Sequence, residues 1–128
     1  VCIRTNPMPR NRDRLFTSSI QNAIWAVKPG AKKPSWVFNR RAASGYETGI
    51  FYYPTQRGKH PTKKPTGLFK ELIEMLSNPD DWVLDPFVGM GTTAVAAIET
   101  DRNYICFERD AKYIEMAIEE IYNAKEPD

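Results

Sequence analysis

Two carboxylates and two glycines carry the first chemistry that can be read from this chain. Asp85 closes the apolar run Val83-Leu84 and opens the stretch Asp85-Pro86-Phe87-Val88-Gly89-Met90-Gly91-Thr92-Thr93. Glu108 closes a second apolar run, Tyr104-Ile105-Cys106-Phe107, 23 residues after Asp85. In parallel sheets ligands bind beyond the carboxyl ends of the strands. An acid at that edge offers negative charge to an ammonium or a sulfonium and repels the phosphates of a dinucleotide. Gly89 and Gly91 let the backbone turn sharply and approach a ligand with no side chain in the way. Thr92 and Thr93 open a helix whose first amides are unpaired and can meet a carboxylate or another electron-rich group. Glu108, one crossover later, can accept hydrogen bonds from both hydroxyls of a ribose. Neither a G-x-G-x-x-G run nor a G-x-x-x-x-G-K-[ST] phosphate loop is present,. The combination points to a nucleoside pocket with S-adenosylmethionine as its strongest candidate occupant. The competing reading is a tight turn capped by Asp85, with Phe87 either packing over a cofactor or plugging the turn.

The elements that would position these residues follow from spacing. Pro65 or Thr66 starts a helix, because proline suits the first turn. Leu68, Phe69, Leu72, Ile73 and Leu76 recur on one face of it, and Asn78-Pro79-Asp80-Asp81 stops it. Trp82–Leu84 reads as a strand and Thr92–Glu99 as a helix whose Ala94, Ala96 and Ala97 allow close approach to a sheet. Asn103–Phe107 reads as the next strand. Asp110 caps a helix to about Ala124, with Tyr113, Ile114, Ala117, Ile118 and Ile121 facing inward. Helix–strand–helix–strand–helix implies parallel strands joined by a right-handed crossover. Upstream, Val1–Arg4, Ala23–Val27, Trp36–Phe38 and Ile50–Tyr53 are short strand candidates.

The 128 residues suffice for one core,. Net charge is +2, but it is divided: residues 1–64 hold 13 basic and two acidic groups, while residues 65–128 hold five and 14. A basic half of this kind, with Arg10, Arg12 and Arg14 near its start, suits an anionic surface such as nucleic acid. Cys2 and Cys106 are far apart, which argues against a disulfide framework and for a reducing, cytoplasmic setting. One histidine, His60, and two distant cysteines make no metal cluster. No apolar run approaches the ~20 residues of a membrane span. The chain does not begin with methionine and reads as a piece of a longer polypeptide.

Three segments resemble amino-group DNA methyltransferases of the permuted, beta-type class, in which the catalytic motif precedes the cofactor motif. His60-Pro61-Thr62-Lys63-Lys64-Pro65 resembles the H-P-T-x-K-P loop. Asp85 to Thr93 resembles the D-P-F-x-G-x-G-T-T cofactor loop nearly in full. Tyr104–Asp110 followed by Tyr113 resembles the segment with the ribose-binding acid. The resemblance places this chain at the carboxyl-terminal portion of such an enzyme. It implies an α/β, Rossmann-like, mostly parallel sheet that is only partly present, its N-terminal strands missing or supplied by another chain. Residues 1–58 would hold part of the catalytic sheet and a target-recognition segment, and residues 59–128 the cofactor subdomain. It further implies S-adenosylmethionine held by Thr62, Lys64, Asp85, Phe87, Gly89, Gly91, Thr92, Thr93 and Glu108. Double-stranded DNA would be met by Lys32, Lys33, Arg40, Arg41 and Arg57 together with the early arginines. The family's Asp/Asn/Ser-Pro-Pro-aromatic catalytic motif is absent from residues 1–128. The implied catalytic residues therefore lie upstream or in a partner chain, and adenine N6 is slightly favoured over cytosine N4 as the target. A homodimer and a cognate restriction endonuclease are further partners of this reading. A non-catalytic DNA-binding or regulatory fragment is the alternative.

Overall fold

In a computed structural model, residues 2–4, 20–30, 36–41, 49–54 and 63–126 are described. Two small sheets flank one helix. Cys2–Arg4 (β1) is the central strand of the first sheet. It pairs antiparallel with Ile20–Asn22 (β2) and parallel with Ile50–Tyr52 (β3). Thr66–Leu76 (α1) follows, then Trp82–Asp85 (β4), Thr92–Ile98 (α2), Asn103–Cys106 (β5) and Ala111–Lys125 (α3). β4 and β5 pair in parallel with Asp85 opposite Cys106, as the alternation of helices and strands requires.

α1 joins the two sheets because its apolar residues occupy two adjoining stripes rather than one. Leu68 and Met75 are buried with Ile3 and Phe51 of the first sheet, and Leu72 packs against them. Ile73 turns the other way to Ala96 and Ala97 of α2, with Phe69, Val83 and Tyr104 around it. Ala94, Ala96 and Ala97 have no exposed surface at all, so small side chains let α2 lie close to both α1 and β5. The last turn of α1 is closed from outside. Asn39 donates from its backbone to Met75 (2.7 Å) and from its side chain to the carbonyls of Glu74 (2.9 Å) and Ser77 (2.8 Å). Arg102 donates to the Ser77 carbonyl at 2.8 Å. A guanidinium there also complements the negative end of the helix dipole.

Four expectations are corrected. The upstream strand is Ile20–Asn22, not Ala23–Val27, because β1 offers a ladder of only three residues, Cys2–Arg4, and these take Asn22, Gln21 and Ile20. Trp36–Phe38 forms no strand; Trp36 and Phe38 instead pack edge-on against Trp25, at 5.7 and 5.8 Å between ring centroids. Met75, not Leu76, completes the inner surface of α1. On α3 only Ala117 is buried, while Ile114 and Ile118 face outward with 39% and 62% exposure. Helical spacing reveals an apolar stripe but not which neighbour covers it. No helix of the described residues is long and apolar enough to cross a membrane.

Candidate nucleoside site

The turn between β4 and α2 is held from both sides by the two acids. Asp85, the last residue of β4, accepts the Phe87 backbone N–H at 2.9 Å through Oδ1 and the Thr93 hydroxyl at 2.5 Å through Oδ2. Glu108, two residues past β5, accepts the N–H of Gly89 at 3.0 Å through Oε2. Its Oε1 accepts the N–H groups of Arg109 (2.7 Å) and Asp110 (3.0 Å). Between the two, Val88 N–H donates to the Phe107 carbonyl at 3.0 Å and Phe107 N–H to the Asp85 carbonyl at 2.9 Å. The two carboxylates thus stand at the carboxyl ends of adjacent parallel strands and grip one loop. A loop held at this many points is organised before any ligand arrives, which lowers the ordering cost of binding.

A carboxylate offers roughly four acceptor positions. Asp85 spends two on the loop and Glu108 spends three. Both keep acceptor capacity for a ligand, Asp85 more of it. The expected grip of Glu108 on two ribose hydroxyls must therefore share its oxygens with three backbone amides. The Asp110 and Arg109 amides, the largest influences, and then the Gly89 amide hold its carboxyl below the usual glutamate range. A depressed folded-state value means that the tether contributes stability above the unfolded value and loses it as pH falls through the folded one. The stability difference between this chain and Glu108→Gln should be constant from pH 8 to about pH 5 and shrink only in more acid solution. Urea denaturation at four pH values measures it, and a difference already lost at pH 6 would contradict the tether.

Gly91 closes the turn with φ +87°, where a side chain is strained, and a Cβ there would stand 3.1 Å from Cα of Ala117 on α3. Gly89 is also left-handed, at φ +56°, with open space around it. Phe87 does not plug the turn: its ring is 87% exposed beside the loop, and Phe107 is 58% exposed. Thr92 and Thr93 are buried, so Thr93 stands behind Asp85 and meets its carboxylate. Cys106, opposite Asp85, has its thiol pushed up to about 11 by burial and then by the Asp85 charge, which keeps it protonated and unreactive near neutral pH.

Lys64 donates to Oε1 of Gln21 on β2 at 2.7 Å. Its neighbour Lys63, which sequence reasoning passed over, pairs with Glu120 of α3 at 2.9 Å. Adjacent residues of an extended segment point to opposite sides, and that alternation was the available signal. Arg41 pairs with Glu71 and lies over the Phe51 ring, 5.2 Å from its centroid; Tyr53 donates to the same Glu71 at 2.6 Å. Arg40 is exposed. Thr62, Arg10, Arg12, Arg14, Lys32, Lys33 and Arg57 lie outside the described residues. A groove of about 710 Å³ between Trp25, Trp36 and Trp82 lies at the amino end of β4, away from the acids.

The sequence matches the N6/N4 DNA methylase family, described as DNA methylase, over residues 1–119. The chain belongs to that family. It is 35% identical to the type II methyltransferase M2.MboI of Moraxella bovis, covering 89% of this chain and 45% of that one. It is 34% identical to M2.DpnII of Streptococcus pneumoniae, with 89% and 46% covered. Among solved structures, the M1.HpyAVI–SAM complex superposes with a TM-score of 0.79 at 36% identity, covering 94% of this chain and 60% of the other. The cytosine-N4-specific PvuII DNA methyltransferase gives 0.53 at 26% identity, over 58% and 31%. The Rossmann-like methyltransferase fold is thereby shown. The chain spans about half the length of the curated relatives it matches.

Proposed function

We propose that this chain is the cofactor-holding portion, with part of the DNA-facing portion, of an amino-group DNA methyltransferase of the permuted class. One observation carries the reading: Asp85 and Glu108, at the ends of adjacent parallel strands, hold a single glycine loop and retain acceptor capacity toward a ligand. That acceptor set fits a cationic nucleoside with ribose hydroxyls. In this assignment Glu108 accepts from the ribose and Asp85 meets the ammonium of the methionine end. Phe87 covers the nucleoside, Gly89 and Gly91 admit it, and Thr62 and Lys64 close the methionine side. Likeness to a solved methyltransferase–SAM complex supports S-adenosylmethionine as the occupant. When bound, that molecule supplies an electrophilic methyl group for an exocyclic amino nitrogen, adenine N6 slightly ahead of cytosine N4.

The target nitrogen of a paired, stacked base is reached only by turning the nucleotide out of the helix, and aligning it with the methyl group supplies much of the rate. The residues for that step belong to the Pro-Pro-aromatic motif, which residues 1–128 lack. We assign them to an upstream or partner segment. The sheet is ready for such a partner: Trp82, Leu84 and Ile105, on one face of β4–β5, are 67%, 65% and 47% exposed. Residues 1–58 would contribute to target recognition and residues 59–128 to cofactor binding. A homodimer and a cognate restriction endonuclease remain further partners of the reading.

Calorimetric titration of the 128-residue chain should show uptake of S-adenosylmethionine without methyl transfer to duplex DNA. Absence of uptake, also after a catalytic-motif segment from a relative is added, would overturn the assignment. Retained DNA affinity without cofactor uptake would favour the non-catalytic, DNA-binding alternative. Affinity for duplex DNA should fall linearly in log–log form with salt, by about 0.9 per phosphate neutralised. A flat response between 50 and 200 mM, measured by fluorescence anisotropy, would remove the basic half from the DNA contact.

A further inference from the structure

We propose that Thr93 is a positioning residue that aims the Asp85 carboxylate at the ammonium of the cofactor's methionine end, an inference that rests on the functional reading above. Among the described residues, two other buried hydroxyls, those of Ser77 and Thr100, donate within their own helical turn. Ser77 donates to the carbonyl of Ile73 at 2.6 Å and Thr100 to that of Ala96 at 2.7 Å, each four residues back. Thr93, 6% exposed on the first turn of α2, instead reaches the carboxylate of Asp85 eight residues earlier, at 2.5 Å from Oδ2. The Phe87 amide holds Oδ1. Two donors on two oxygens fix the carboxylate plane, and the remaining acceptor positions point in set directions. Removing the Thr93 donor frees the carboxylate to rotate about its last bond while the charge stays in place. The effect should therefore be confined to whatever contacts Asp85, the amino-acid end of the ligand, and should spare what contacts Glu108.

Two ligands separate these possibilities. S-adenosylmethionine carries the amino-acid end; 5′-methylthioadenosine carries the nucleoside and sulfur without it. In calorimetric titrations of the full chain, Thr93→Val should weaken the first about tenfold, as loss of one charge-assisted contact does. The second should stay within twofold, and Thr93→Ser should return the first to within about threefold of the parent. In the Asp85→Asn background, Thr93→Val should add nothing further, because the two act as a unit. Equal weakening of both ligands, or failure of serine to rescue, would overturn the proposal in favour of a purely structural role for Thr93. Should valine prevent folding, Thr93→Ala takes its place: weaker S-adenosylmethionine with 5′-methylthioadenosine within twofold upholds the proposal, and an equal change for both ligands overturns it. A parent chain that takes up neither ligand, also after the catalytic-motif segment is added, would instead overturn the functional reading itself.

Discussion

Gly91→Ala should destabilise the protein by about 2–5 kcal/mol and abolish cofactor uptake at ordinary ligand concentrations. Two costs add. An L-residue in the left-handed region costs about 1–2 kcal/mol, and Gly91 sits at φ +87°. A new Cβ would also meet Cα, the carbonyl oxygen and Cβ of Ala117 at 3.1, 3.2 and 3.3 Å. Those atoms belong to α3 and its backbone, so relief requires moving the helix, and overpacking of this kind costs about 1–3 kcal/mol. Since α3 starts three residues after Glu108, moving it disturbs the acid that tethers the loop. Gly89→Ala is the control. It carries the strain of φ +56° but has open space around the new atom, so it should lose only about 1–2 kcal/mol. Urea denaturation of both variants measures the pair. Equal losses would show that α3 yields freely and that the close approach is immaterial.

Asp85→Asn should leave the fold intact and weaken S-adenosylmethionine about 10- to 100-fold. The amide oxygen still accepts the Phe87 N–H, and the amide group can meet the Thr93 hydroxyl as donor, so the turn survives. What disappears is the negative charge. A hydrogen bond to a charged group contributes about 1.5–3 kcal/mol, and each 1.4 kcal/mol is about tenfold in affinity. A thermal midpoint within a few degrees of the parent, together with the affinity loss, would locate the effect in the site. Binding within twofold of the parent would remove Asp85 from ligand contact and leave it as a turn cap alone, the role its bonds to Phe87 and Thr93 already demonstrate.

The cofactor-side half was readable because its information is local. An apolar run, an acid, paired glycines and a helix opener occupy consecutive positions, and backbone sterics near a turn leave few conformations for such a run. β4, α2, β5 and α3 accordingly lie within two residues of their expected bounds. The upstream half was readable in part: β1 and β3 fall within the expected Val1–Arg4 and Ile50–Tyr53, but β2 was missed, because three-residue strands carry almost no periodic signal,. There the apolar run Ala23–Val27 masked the true strand, in which polar Gln21 is partly covered and receives Lys64.

Composition and order of residues alone determined that a turn with two glycines follows an acid, that a second acid ends the next strand, and that basic groups crowd the first half. Tertiary structure decided how those groups are used. Only folding brings Glu108 to the Gly89 amide and Thr93 behind Asp85. Only folding sets Arg41 on Glu71 and leaves Ile114 and Ile118 outward on α3. The physical reason is that a residue type sets which bonds and contacts a side chain can make, whereas its partner is chosen by chain segments that meet across the fold.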